Sequence, residues 1–148
     1  MRGSTSEIGD SIYELATRLW PVNRSITGDG VRETLRVLKE ILPDLVVHEV
    51  PSGTEVLDWT IPDEWNVSEA WIEGPNGRRV VDFSENNLHL VGYSIPVDKT
   101  LNLEELQAHL YSIPEMPEAI PYITSYYSKR WGFCLPHSQR SKLKMGNY

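Results

Sequence analysis

The stretch RSITGDGVRETL, Arg24 to Leu35, is dense in groups that bind anions or polar ligands. Glycines flanking a helix start leave backbone N–H groups available at the positive end of the helix dipole, an arrangement suited to a carboxylate. The plainer account is that Ser25, Thr27 and Asp29 satisfy the orphan amides of that helix start, while Gly28 and Gly30 supply unusual backbone angles. It covers every residue except Arg24. The stretch YITSYYSKRWGFCL, Tyr122 to Leu135, divides in the same way. Tyr126, Tyr127 and Trp131 can be core, with Lys129 and Arg130 as its solvated edge. Alternatively, the mixture of aromatics and cations forms a pocket wall that stacks on a peptide, with Arg130 pairing a carboxylate.

Four histidines, His48, His89, His109 and His137, are scattered singly. A catalytic zinc site needs about three protein ligands in tetrahedral geometry, so hydrogen bonding or solvent exposure is the plainer role for each. His89 stands apart, because Asn86-Asn87-Leu88-His89 sets three polar side chains beside an otherwise apolar run. The alternatives there are a buried histidine satisfied by the backbone and one that faces a ligand. Cys134 could act as a nucleophile only with a base such as His137, three residues on. Between Gly132-Phe133 and Leu135-Pro136 it reads as a small apolar packing group. HExxH, paired CxxC, GxSxG, Walker and GxGxxG patterns do not occur, so none of those catalytic signatures is present.

The elements that must hold these groups can be read from periodicity. Ile8, Ile12, Leu15, Ala16 and Leu19 recur at helical spacing and predict a helix from about Glu7 to Trp20, which Pro21 ends. Before it, Met1 to Ser6 is small and polar and reads as a frayed terminus. A second helix is expected from Asp29 or Gly30, with Val31, Leu35, Leu38 and Leu42 on one stripe, Pro43 as its stop and Asp29 as its N-cap. Leu45 to Val50 predicts a buried strand. Short strand-like runs come next in EVLDWT, SEAWIE, RRVVDF and LHLVGY, and Pro75-Asn76-Gly77 signals a hairpin between the second and third. Trp59, Trp65 and Trp71 are expected in the core or rim of this β unit. Asn102 and Glu105 stand at capping-box spacing for a helix reaching about Tyr111. Beyond the connection through Pro114, Pro117 and Pro121, a short amphipathic helix is expected around Ser138 to Lys144, and Asn147-Tyr148 looks like the start of another strand.

The 148 residues fit one domain of ordinary globular composition, 40% hydrophobic and 24% charged, with five Trp and seven Tyr. The net charge of −7 weighs against nucleic acid or an anionic membrane as partner, since phosphate binding draws on clustered Lys and Arg. A single cysteine forms no internal disulfide, no apolar leader precedes Ile8, and no apolar run approaches the roughly 20 residues that span a bilayer. A cytoplasmic chain is the expectation.

Four motifs in order, LWPVNRSITGDGVRETL, HEVPSGTEVLDWTIPDEW, NNLHLVGYS and PYITSYYSKRWGFCLPHSQ, carry a likeness from about Ile12 to Tyr148. The chain resembles the N-terminal part of bacterial zinc aminopeptidase-like proteins that carry an inserted β domain of formerly unknown function. The resemblance implies an α/β fold, mixed α+β in this piece. Residues 1–50 would belong to the exopeptidase-like domain, with its mostly parallel sheet between helices. Residues 51–135 would form a β-rich insert with one helix, and residues 136–148 the return segment.

It also implies metal-assisted peptide hydrolysis in the whole enzyme, with the His, Asp and Glu zinc ligands downstream of Tyr148. This chain would then have no cofactor or catalytic residue of its own and would be inactive alone. Its expected contribution is a pocket rim for a peptide substrate, formed by Arg24, Ser25, Thr27, His89, Tyr126, Tyr127 and Arg130. The rival expectation is a non-catalytic module in which Trp59, Trp65, Trp71 and Tyr127 bind peptide or sugar, or in which the β unit mediates homo-oligomer contacts. Exposed Trp would favour the module; buried Trp and an unpaired apolar edge near Val46 would favour the enzyme fragment.

Overall fold

A computed structural model describes residues 5–148. Its contacts divide the chain into two units, Met1–Asn66 and Val67–Tyr148. Most of the expected frayed terminus lies outside the described residues, and Thr5 and Ser6 already belong to the first helix.

In the first unit, α1 (Thr5–Leu19) and α2 (Asp29–Ile41) form where the apolar spacing predicts them. Arg18 on α1 and Glu40 on α2 make a two-pronged pair at 2.6 and 2.9 Å, and Arg36 adds bonds to Glu33 and Glu40. The Arg18 hydrogen bond holds the Glu40 carboxyl below its ordinary range. These pairs are exposed, so each contributes little on its own. The buried residue of α2 is Val37, on the face it shares with Gly30 and Thr34, rather than a member of the Val31, Leu35, Leu38 stripe. On α1, Ile8, Ile12 and Tyr13 remain exposed.

The expected N-cap at Asp29 is corrected. Gly28, at φ 117, is the capping position and provides no side-chain acceptor. The Asp29 N–H instead donates to Asn66 Oδ1 at 2.7 Å, a carboxamide 37 positions away. A residue next to a helix start can cap it only if its side chain turns back, and any suitably placed acceptor can do the same.

Leu45 to Val50 also departs from expectation. The segment runs without regular structure, pairs with no strand among the described residues, and leaves Val46 68% exposed. Apolar alternation favours extended backbone, but a strand also needs a neighbouring edge. EVLDWT is a hairpin rather than one strand. Strands β1 (Glu55–Val56) and β2 (Trp59–Thr60) pair antiparallel around Leu57, which is fully exposed at φ 56.

The second unit holds the main core, Ile72, Val81, Leu106, Leu110, Phe133 and Leu135. Strands β3 (Trp71–Glu73) and β4 (Arg79–Asp82) form the expected hairpin over Pro75-Asn76-Gly77, with Gly77 at φ 71. Their pleat turns Ile72 and Val81 inward and leaves Trp71 outside. Arg79 lies 4.1 Å over the Trp71 ring and donates to Asp82 at 2.7 Å. Asp82 also accepts from the Ser84 amide and hydroxyl, and these bonds, the Arg79 one first, bring its carboxyl down to about 2.

LHLVGY was expected as a strand. Its start is instead a 3-10 turn, Asn87–His89, capped by Asn86, and beyond it Leu90 and Gly92 make only isolated bridges. Helix α3 (Leu103–Gln107) has the expected capping box, with both Asn102–Glu105 bonds at 3.0 Å. It stops short of Tyr111 because β5 (Leu110–Tyr111) pairs in parallel with β6 (Phe133–Cys134). Helix α4 (His137–Arg140) is a single turn, shorter than the expected Ser138 to Lys144. Tyr148 exchanges backbone bonds with Leu101 at 2.8 and 2.9 Å, which gives the last residues the strand-like pairing their sequence suggests.

Three outcomes for stability can be measured. Asn66→Ala should lower unfolding free energy by about 1 kcal/mol in urea titrations monitored by circular dichroism. Asp63→Ala should have little effect there, because Thr27 bonds the Asp63 carbonyl and not its side chain. Asp82→Asn should destabilise at neutral pH. A carboxyl depressed in the folded state stabilises above its ordinary value and loses that contribution as pH falls through about 2, so the difference from the parent should shrink steadily below pH about 4.

Candidate functional site

Tyr122 to Arg130 forms a loop tied at both ends to one backbone segment. Gly92 N–H donates to Ile123 at 2.9 Å, Ser125 N–H to Gly92 at 2.8 Å, and Ile95 N–H to Arg130 at 3.1 Å. Ser125 is buried and its hydroxyl bonds the Gly92 carbonyl. Tyr93, between these anchors, has φ 62, a left-handed conformation that is uncommon for a bulky residue. Its ring stands edge-on to Tyr126 at 5.0 Å, and Tyr126 stands edge-on to Tyr127 at 4.6 Å. Tyr126 is half-buried, whereas Tyr127 is 89% exposed. Tyr126 thus lies partly against the protein and Tyr127 on its surface, while Phe133 belongs to the core and Trp131 packs against it.

Arg130 completes the loop. One of its N–H groups donates to the Thr124 carbonyl at 3.0 Å, and its guanidinium lies 6.0 Å from the Tyr111 ring centre. No carboxylate pairs with Lys129 or Arg130 among the described residues, nor with Arg24, Arg78 or Arg140; the paired arginines are Arg18, Arg32, Arg36 and Arg79. A charge signal for this was legible in the sequence: five basic and no acidic residues come after Glu118, in a chain of net charge −7. Tyr93 and Tyr111 carried no such signal, since each looked like part of a regular element.

His89 is buried, with Nδ1 2.8 Å from the Cys134 carbonyl. Cys134 itself is fully buried, and burial pushes its thiol up to about 11. A thiol held protonated is a poor nucleophile. His137 is engaged with Ser112 Oγ at 3.0 Å, and Arg140 ties that serine to Gln107. His109 stacks on Trp131 at 3.7 Å. Among the described residues no group of three or more His, Cys, Asp and Glu side chains could hold a metal ion, so these residues do not fit the zinc that the family resemblance implies.

The first unit holds the other three candidates. Arg24 is exposed and donates to the Leu19 carbonyl at 2.7 Å, closing the end of α1. Ser25 donates to the Thr27 carbonyl, and Thr27 to that of Asp63 at 3.2 Å. Neither hydroxyl accepts from a helix amide, so the orphan-amide account of Ser25 and Thr27 is replaced by bonds to loop carbonyls. Gly28 is buried, and a Cβ there would lie 2.7 Å from both the Trp65 carbonyl and Asn66 Oδ1. Arg32 bonds Asp29 at 3.0 Å and also Glu64, the residue before Trp65. The structure thus brings Tyr126, Tyr127 and Arg130 together in one loop, and Arg24, Ser25 and Thr27 in another.

These features belong to a recognised class. The domain of unknown function DUF2172 matches residues 64–148, more than half of the chain, and the chain belongs to that family. It is 47% identical over 145 residues to a Clostridium acetobutylicum protein provisionally named as a polysaccharide biosynthesis protein with an aminopeptidase-like domain, covering 98% of this chain and 33% of that protein. A crystal structure from the same organism, of a protein provisionally described as a peptidase, matches at TM-score 0.94 and 48% identity over 97% of this chain and 34% of the other. The likeness carried by the four sequence motifs holds. The chain spans about a third of the length of these relatives.

The buried thiol gives a direct check. In the native protein Cys134 should react with an aromatic disulfide reagent at least about a hundredfold more slowly than after denaturation, as expected of a desolvated thiol. Fast native labelling would restore it as a candidate nucleophile.

Proposed function

We propose that this chain is the N-terminal third of a zinc-dependent aminopeptidase-like hydrolase, contributing pocket rim and scaffold rather than metal ligands. The observation that carries this reading is the 47% identity, over nearly all of the chain, to a protein named for an aminopeptidase-like domain. On this reading the zinc ligands lie in the two thirds of the relatives that the chain does not span. When bound, such a zinc activates water and polarises the scissile carbonyl. The exposed Ile8, Ile12 and Val46 support the same reading, since apolar groups left bare by one part of a domain are covered by the rest of it.

The chain's own part is positional. Tyr126 and Tyr127 offer a preset aromatic surface on a doubly anchored loop, and Arg130 offers its remaining donors to a carboxylate. Arg24, Ser25 and Thr27 shape the loop that enters α2, and His89 braces β6 from the interior. The whole enzyme would be cytoplasmic, would take a peptide substrate, would have no nucleic-acid or membrane partner, and could self-associate. No described helix is long and apolar enough to cross a membrane. The second reading, a non-catalytic module for peptide or sugar, is favoured by Trp59 and Trp71, 36% and 38% exposed. The ring of Trp71, however, already carries Arg79.

The deciding experiment uses the full-length protein. It should bind zinc, release amino-terminal residues from short peptides and lose that activity on chelation, while the 148-residue chain alone does neither. Arg130→Ala should lower kcat/KM roughly tenfold, mainly through KM, as for a group that binds substrate. Arg24→Ala should act mainly on thermal stability. An inactive full-length protein whose Trp fluorescence shifts with neutral sugars would favour the binding module. Unchanged kcat/KM in both variants would assign both arginines to structure.

A further inference from the structure

We propose that the loop bearing Tyr126, Tyr127, Lys129 and Arg130 is a recognition subsite for the acidic part of a peptide, which makes acidic peptides the preferred substrate class of the hydrolase proposed above. The inference rests on that reading for the peptide and on the loop itself for the charge.

Three observations point to an anionic ligand. Exposed Lys129 and Arg130 have no carboxylate partner among the described residues, as is also true of Arg24, Arg78 and Arg140, but only they are adjacent cations flanking an exposed aromatic ring. The chain from the loop onward is also free of acids, because no acidic residue comes after Glu118. Arg130 is also held in place: one N–H is committed to Thr124, and its carbonyl accepts from Ile95, so its other donors are presented from a fixed base. A planar guanidinium presented in this way matches a carboxylate in two-pronged geometry.

The aromatic part argues for an extended peptide beside that carboxylate. Tyr127 is 89% exposed, its ring stands edge-on to Tyr126, and Tyr126 stands edge-on to Tyr93. The left-handed backbone at Tyr93 maintains that arrangement against local cost, which is typical of a site where orientation matters. A bare aromatic ring two residues from an exposed Lys-Arg pair is a stacking surface for a ligand that the cations also attract.

The test compares the tripeptides Ala-Glu-Glu, Ala-Gln-Gln and Ala-Lys-Lys on the full-length protein, by calorimetry with chelator present, and by cleavage without it. Trigalacturonate serves as an acidic, non-peptide probe. Ala-Glu-Glu should bind about tenfold more tightly than Ala-Gln-Gln, and the difference should fall at about 0.5 M salt. Arg130→Gln should abolish the preference, and Tyr127→Ala should weaken both peptides alike. Lys129→Glu, at an exposed side chain without an ion pair, should shift preference toward Ala-Lys-Lys, and it serves as the readout if Arg130→Gln fails to fold. Equal binding of all three peptides, a preference that survives both charge variants, or tighter binding of trigalacturonate would overturn the proposal. Tight Ala-Glu-Glu binding without cleavage would instead overturn the hydrolase reading and leave the subsite. Cleavage without charge preference would do the reverse.

Discussion

The second unit depends on how closely its backbone passes at Gly132. A Cβ at that position would lie 2.7 Å from the Tyr111 ring, 2.8 Å from the His109 carbonyl and 3.2 Å from Val91, so only glycine lets the three segments meet. This close approach fixes the pairing on both sides of the glycine. Phe133 and Leu135 donate to His109 and Tyr111 on one side, while Val91 donates to Gly132 on the other. Ser94 links the two sides of this junction by donating to Val91 and accepting the Gly132 N–H. Leu135, Cys134 and Val91 are consequently sealed from solvent, and the aromatic loop that precedes Gly132 leaves the core along a fixed path.

Polar groups around this junction are used in pairs rather than left for chemistry. His89 bonds the Cys134 carbonyl, His109 packs its ring on Trp131, and His137, Ser112, Arg140 and Gln107 join α4 to the α3–β5 segment. Such groups must find partners when they leave water, and side chains meeting backbone carbonyls are the least demanding solution. Lys129 and Arg130 contrast with them: no carboxylate of the described chain answers their charge, and they sit next to the most exposed tyrosine.

The first unit is organised differently. Its buried side chain on α2 is Val37, and its loops are held by side chains reaching backbone over long separations, as with Thr27 to Asp63 and Asn66 to Asp29. Ion pairs line its surface, but exposed pairs do not replace a core. Much of its apolar surface on α1 and around Val46 stays bare.

Features set by neighbouring residues were legible in the sequence. The spacing of Ile8, Ile12, Leu15 and Leu19 gives α1, Asn-Gly at 76 and 77 gives the β3–β4 turn, and the Asn102–Glu105 pair gives the cap of α3. Each depends on backbone geometry over a few positions, which residue type constrains directly. Features that require a distant partner were decided only by the tertiary structure. Examples are the capping of α2 by Asn66, the parallel pairing that shortens α3, and the different burial of Tyr126 and Tyr127. In these cases local preference permits several outcomes of similar energy, and the choice falls to whichever chain segment supplies the missing hydrogen bond or buries the exposed ring.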